Sequence, residues 1–281
     1  MVGQDAMRTA GELEEIEIGL LLEGINSHYG YDFRGYAPAS LRRRLWHRAQ
    51  AEGVQSISAL QDRVLHEPAA MQRLLVDLSV NVTTMFRDPT FYAALRETVV
   101  PLLRTYPFLR IWNAGCSTGE ETYSLAILLR EEGLASRMRL YATDINDKVL
   151  ERAQAGEFPL ERMRQFTQNY IHAKGREDFS SYYTVDGSWA RFDRSLTEQV
   201  IFAQHNLVSD GSFNEFDLVL CRNVMIYFSK PLKDRAHGLF YDSLHTFGVL
   251  GLGQKESIKF SPHETRYAAL GSGTKLYRKT G

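Results

Sequence analysis

"LRIWNAGCSTGEETYSLAILLR", residues 109 to 130, decides the fold. It opens as a short apolar strand, breaks into a turn holding Gly115 and Gly119, and continues as a helix with an apolar stripe. A strand that runs through a glycine turn into a helix is how open α/β sheets make a ligand cradle, outside the carboxyl end of the first strand. The turn is not built for phosphate. Its glycines are four apart, so it matches neither G-x-G-x-x-G nor a Walker loop, and it carries two acids, Glu120 and Glu121, where a phosphate binder carries a lysine. Carboxylates at that mouth repel phosphate whatever the helix N-terminus offers. They suit a ligand bearing hydroxyls and positive charge. Ser117 and Glu120 also have capping-box spacing, and an acid in the first turn gains about 0.3–1 kcal/mol from the helix dipole. Both roles stay open for the pair, with Glu120 assigned to the cap and Glu121 to the ligand.

Downstream the same texture repeats. "RLYATDI", a helix from Lys148, "QVIFAQHN", "FDLVLCRN", a helix through 231–245, "FGVLGLG" and "TKLYRK" alternate apolar runs with helical ones. Such alternation predicts a mostly parallel, doubly wound sheet covered on both faces. Residues 156–197 are less regular, but "YYTVDGSWARFD" predicts a hairpin turning at Asp186-Gly187, an inserted β element. Upstream, residues 13 to 80 carry helical periodicity without strand-like alternation. "PASLRRRLWHRAQAEG" predicts a helix over 40–51, capped by Ser40, ending at Gly53 and bearing Arg42, Arg43, Arg44 and Arg48. The expected organisation is a helical domain over 1–80 and an α/β domain over 81–281 that includes a β subdomain near 178–198.

Two further stretches meet the glycine turn at the same edge of the sheet. Asp144 ends the second strand, where such folds place the acid that accepts from ribose hydroxyls. "FDLVLCRNVMIYF" delivers Arg222 and Asn223 from the end of a central strand, then Tyr227 in an apolar stretch. S-adenosylmethionine offers the ribose diol, ammonium and sulfonium that this set suits. Each signal alone has a structural counterpart: Asp144 as a turn residue, Tyr227 as a half-buried core side chain.

"NVTTMFRD", "AGCSTGEETYS", "ATDI", "HNL" and "CRNVMIYF" stand in the order seen in CheR-type chemoreceptor glutamate methyltransferases, which this sequence resembles over nearly its whole length. The resemblance implies a class I, Rossmann-like S-adenosylmethionine-dependent methyltransferase domain, preceded by an all-helical domain and carrying a small β subdomain. It carries over Asn81, Thr83, Arg87, Gly115, Glu121, Asp144, Asn206, Leu207, Arg222 and Asn223 as cofactor residues. Tyr227 carries over to the reactive site, and Arg87, with its fork of donors, is the second catalytic candidate; no metal is expected. Met85, where the family has phenylalanine, and Thr122, where it has proline, depart from the pattern, as does "GLGQKES" in place of Gly-His-Ser-Glu. The last touches the substrate mouth.

The reaction so implied is transfer of a methyl from sulfonium to a glutamate carboxylate, already anionic at neutral pH. The expected partner is the helical methylation region of a chemoreceptor, met by the basic helix. Rival readings are a regulatory adaptor that binds S-adenosylmethionine or its product without turnover, and a methyltransferase for a non-receptor protein. A formal charge of −1 argues against bulk nucleic-acid binding. Cys116 and Cys221 form no CxxC motif, no apolar run has membrane-spanning length, and "IEIGLLLEGI" lacks the flanks of a signal peptide. A cytoplasmic protein is expected.

Overall fold

The computed structural model describes residues 10–79 and 83–280. They fall into two compact units: one holds the residues before 81 together with Tyr227–Leu232, the other holds the rest.

The first unit packs α1 (Ala10–Tyr29), α2 (Pro38–Ala51), α3 (Ile57–His66) and α4 (Pro68–Leu78) around Leu21, Ile25, Phe33, Leu45, Leu60 and Leu74, all fully buried. Ser56 caps α3 by accepting from the Ala59 amide at 3.1 Å. The expected Ser40 cap on α2 does not form. That helix begins at Pro38 with Ala37 as its N-cap, because proline's fixed φ and missing N–H suit the first helical position. Ser40 is then already inside, its own amide bonded to the Ala37 carbonyl. Glu52, nearly buried, gathers Arg48, Arg63 and Arg73 at 3.3, 3.3 and 2.7 Å. Its pKa is held down to about 2, chiefly by the bond from Arg73. The returning segment docks on this unit. Ala37 and Ser229 donate backbone bonds to Tyr227 and Gly35, Phe228 stacks on Tyr36 with centroids 5.2 Å apart, and Leu232 covers Gly35.

The second unit is built on a seven-stranded sheet. Its strands are β1 (Leu109–Ala114), β2 (Met138–Asp144), β6 (Val200–Gln204), β7 (Phe216–Cys221), β8 (Leu244–Leu252), β9 (Tyr267–Ala269) and β10 (Leu276–Lys279), in the order β6-β2-β1-β7-β8-β10-β9. All pairings are parallel except those of β10. The chain leaves β1 toward β2 on one side and later returns to β7 on the other, so the order reverses beside β1, the position where open sheets bind ligands. Every residue of β7 is buried, as expected of a strand covered on both faces. On one face Ile111 joins the core with Leu125 and Leu128 of α7 (Glu120–Glu131). On the other Trp112 meets Phe216 and, from α10 (Lys230–Ser243), Phe240, at 5.4 and 5.7 Å. β8 takes over at Leu244, one residue before the helix expected over 231–245 was to end.

Three stretches carry elements that sequence periodicity did not resolve. Residues 89–103 run helically as α5 (Pro89–Ala94), a π-turn (Leu95–Val99) and α6 (Val100–Leu103). After α8 (Asp147–Ala155), the irregular region contains β3 (Glu157–Pro159), α9 (Met163–His172) and a hairpin of β4 (Tyr183–Asp186) with β5 (Trp189–Phe192). The hairpin was expected, but its two loop residues are Gly187 and Ser188, with Asp186 paired to Trp189. β3 adds to β5, making a three-stranded antiparallel sheet whose Phe158 and Phe192 close on Tyr123 of α7. β9, the outermost strand of the large sheet, was not anticipated either.

Candidate functional site

The carboxyl ends of β1, β2, β6 and β7 bring most of the expected residues to one edge of the second unit. Gly115 leaves β1 with φ +75°, and its amide and that of Cys116 both donate to the Thr143 carbonyl at the end of β2, at 2.8 and 2.9 Å. A side chain at Gly115 would lie 2.4 Å from a Val224 methyl, so only glycine lets the turn pass the loop after β7. Gly119, at φ +96°, is the N-cap of α7, and a Cβ there would meet Ala153 at 2.9 Å. The capping box therefore fails: with glycine as cap, no side chain caps α7. The Ser117 amide donates to Asp144 at 2.9 Å, and Glu120 pairs with Arg162 at 2.7 Å and accepts from Thr118 at 2.6 Å.

Asp144 is almost buried and also accepts from the Asn146 amide at 3.1 Å. Burial raises its pKa above the ordinary carboxylate range, against the pull of those amides. Glu121 remains partly open. One oxygen accepts from the Asn113 amide group at 2.8 Å, the other from Arg222 at 2.7 Å. The Arg222 side chain, 1% exposed, spans Glu121 and Asp88, bonds the Arg87 carbonyl at 2.9 Å and lies 4.1 Å from the Phe91 ring centroid. Its Nε has no partner among the described residues.

Thr83 to Asp88 form a loop held on several sides. Arg162 donates to the Thr83 carbonyl, Asn169 to the Met85 carbonyl at 2.8 Å, and Arg222 to the Arg87 carbonyl, while the Phe86 amide donates to Ser124 at 2.8 Å. Phe86 and Asp88 take φ of +50° and +55°, a conformation that non-glycine residues hold only where surroundings impose it. This presents Arg87, half-buried, beside the carboxyl edge of β7.

Asn223 sits at φ +62° with its amide bonded to Glu256 at 2.8 Å, while its Oδ1 is buried and unpartnered among the described residues. Asn206 turns its side chain onto the Val208 amide at 2.9 Å, and Leu207 is buried beside it. Asn81 lies outside the described residues. Tyr227 belongs with the first unit, where the Arg44 guanidinium lies 4.5 Å from its ring centroid. Sequence reasoning missed Arg162, Asn113 and Glu256. Glu256 had a signal: "GLGQKES" keeps the first and last residues of Gly-His-Ser-Glu as Gly253 and Glu256, and changes only the two between. Glu256 also accepts from the Gly253 amide at 2.7 Å, tying β8 to the loop after β7.

The CheR methyltransferase SAM-binding domain matches residues 81–273, and the CheR methyltransferase all-alpha domain matches residues 16–79. The chain belongs to the CheR methyltransferase family. Cher3 of Pseudomonas putida is 50% identical over 95% of this chain and 97% of its own length. Chemotaxis protein methyltransferase 1 of Pseudomonas aeruginosa is 30% identical over 82% of this chain and 85% of its own, and the Listeria monocytogenes chemotaxis protein methyltransferase is 28% identical over the same shares. The match also covers 25% of a 104.1 kDa Rhodobacter capsulatus protein, at 29% identity.

The fold is accordingly that of a class I S-adenosylmethionine-dependent methyltransferase with an all-helical N-terminal domain. The residues present fit that cofactor. The glycine turn leaves room no side chain can take, Asp144 offers carboxylate lone pairs beyond its amide bonds, and Asn223 holds a buried oxygen in need of a donor. Among the described residues, no cluster of histidine, cysteine or acids fit to hold a metal occurs, and no helix is long and apolar enough to cross a membrane.

Proposed function

We propose that this CheR-family protein methyl-esterifies glutamate side chains of chemoreceptors in the cytoplasm, its 1–80 helical part serving the receptor and its 81–281 part, with the β subdomain near 178–198, serving the cofactor. One observation carries the reading. Arg222 ties the peptide that bears Arg87 to Glu121 in the glycine turn, so the loop that would meet the substrate and the turn that would meet the cofactor share one buried cation.

Bound S-adenosylmethionine supplies the electrophilic methyl. Asp144 accepts from the ribose hydroxyls, Glu121 takes the ammonium end, and Thr83, Asn206, Leu207, Arg222, Asn223 and Asn81 complete the cradle. A substrate carboxylate needs no general base, only orientation without neutralisation and loss of water. Arg87, a planar fork of donors, orients it, and the Tyr227 hydroxyl makes the finer contact. Chemotaxis protein methyltransferases among the relatives support a receptor substrate over a non-receptor protein.

The test is transfer of labelled methyl to receptor cytoplasmic fragments, scored as base-labile volatile label. Base lability marks a carboxyl ester, whereas N-methyl groups survive base. Tyr227→Phe and Arg87→Ala are expected to lower transfer by about 10²-fold or more while changing affinity for S-adenosylhomocysteine by less than about threefold. Equal losses of transfer and affinity would refute the division of roles. Tight product binding without transfer to any receptor fragment would favour the adaptor.

A further inference from the structure

Arg222 also lines a cavity. It has a volume of about 210 Å³ and lies between the start of α5, the end of β8 and the loop before β10. Phe91 and Arg222 line it, stacked on one another, and Gln254, Thr274 and Lys275 stand around them. It is smaller than the roughly 300–1,000 Å³ that encloses a whole ligand, and is of a size for one side chain. Two lining residues are cationic, Lys275 and Arg222, the latter paired with Glu121 and Asp88, and none is acidic. The Lys275 ammonium donates to the Glu256 carbonyl at 2.8 Å and keeps further hydrogens, and the buried Arg222 Nε has no acceptor among the described residues. Gln254 belongs to the pair of residues by which this chain departs from the family's Gly-His-Ser-Glu. Its neighbour Lys255 does not line the cavity.

The geometry points to a substrate subsite: we propose that this cavity receives an acidic side chain neighbouring the methylated glutamate, held by Lys275 and Arg222, with Gln254 setting its selectivity. The inference rests on the receptor-glutamate reading for what enters the cavity. The ligand class comes from the lining itself. Arg222, Lys275 and Thr274 line it, and a carboxylate accepts from several donors at once. Position agrees, since Arg222, which lines the cavity, also bonds Glu121 in the first turn of α7 at 2.7 Å. An acidic neighbour placed there would fix the register of the substrate without touching the reacting carboxylate.

Gln254→Glu tests this with little change of shape, because Gln254 is exposed and the variant only adds a negative charge. Lys275→Gln is the second variant. The probes are receptor segments that carry either glutamate or glutamine beside the target, measured for binding to the full chain saturated with S-adenosylhomocysteine and for methyl transfer. The wild-type protein should bind the acidic segment about tenfold more tightly than the neutral one. Gln254→Glu should abolish that preference, Lys275→Gln should reduce it, and affinity for S-adenosylhomocysteine should stay unchanged in both. An equal effect of Gln254→Glu on both segments, no wild-type preference, or a loss of S-adenosylhomocysteine affinity would each overturn the proposal, the last by giving the cavity to the cofactor. Base-labile transfer without acidic preference leaves the receptor reading standing and removes the subsite. Acidic preference in binding without transfer keeps the subsite and removes the receptor-methylation reading.

Discussion

At the scale of single residues, Arg222 and Asp144 separate fold from chemistry. Arg222 is a buried cation whose two terminal nitrogens serve three acceptors, on Glu121, Asp88 and the Arg87 carbonyl. Lysine cannot reproduce a planar fork, so Arg222→Lys keeps the charge and loses the bridge. Each hydrogen bond lost to the partly exposed Glu121 or Asp88 costs about 1.5–3 kcal/mol, and the loop carrying Arg87 loses its tie to the turn. The variant should melt earlier by calorimetry and also bind S-adenosylhomocysteine more weakly; unchanged melting with normal affinity would show that the bridge is dispensable. Asp144 gives a pH signature instead. In the role proposed for it the ionised form would accept from ribose hydroxyls, and burial raises its pKa, so protonation sets in at a higher pH than for an exposed aspartate. Affinity for the product should therefore fall as pH is lowered through that raised pKa, and rise again above it. Asp144→Asn should bind weakly at every pH and show no such step in calorimetric titrations across the acidic range. A step that survives in the variant would assign it to another group.

At the scale of elements, α2 is the test of receptor docking, and the structure changes how that test must be made. Its four arginines do not form one free basic face. Arg42 forks onto Glu14 at 2.6 and 2.7 Å, Arg48 pairs with Asp77 at 2.6 Å, and Arg44 is buried, donating to the Leu78 carbonyl at 2.6 Å beneath Tyr227. Reversing Arg44 would disturb the fold and Tyr227 together. Arg42→Glu with Arg43→Glu, both at exposed positions, is the informative pair. If α2 steers the receptor, this pair should slow methylation several-fold at low salt and much less at high salt, because steering is screened; no salt-dependent loss would remove α2 from docking. The strand-turn-helix of residues 109–130 was legible because β1, buried at every residue but Arg110, reads as a short, mostly apolar run and the turn needs its glycines. The segment 89–103 was not, because a π-turn and Pro101 break the periodicity that marks one helix. Glu120 was misassigned for a different reason. Local spacing offered Ser117 as its partner, whereas it accepts from Thr118 and pairs with Arg162, 42 residues on, and such distant pairs have no signature in neighbouring sequence.

At the scale of the whole molecule, the chain order and the compact units do not coincide. Residues Tyr227–Leu232 come from within the family's cofactor-binding segment, yet pack with the helical unit. A fragment ending near residue 80 therefore lacks part of its own structure. It loses the backbone bonds from Ala37 to Tyr227 and from Ser229 to Gly35, the stack of Phe228 on Tyr36, and Leu232 over Gly35. Two backbone bonds at about 0.5–1.5 kcal/mol each and an aromatic pair of similar size put the deficit at about 1.5–4.5 kcal/mol. For a unit of this length each kcal/mol moves the melting temperature by roughly 4–8 °C. The isolated fragment should thus melt about 6 °C or more below the same helices in the full chain, followed by circular dichroism, and adding a peptide spanning residues 224–234 should recover part of the difference in a dose-dependent way. Equal melting of the fragment and of those helices in the full chain would mean that the returning segment adds nothing to the helical unit. Tyr227 would then owe its position to Arg44 and the loop after β7 alone.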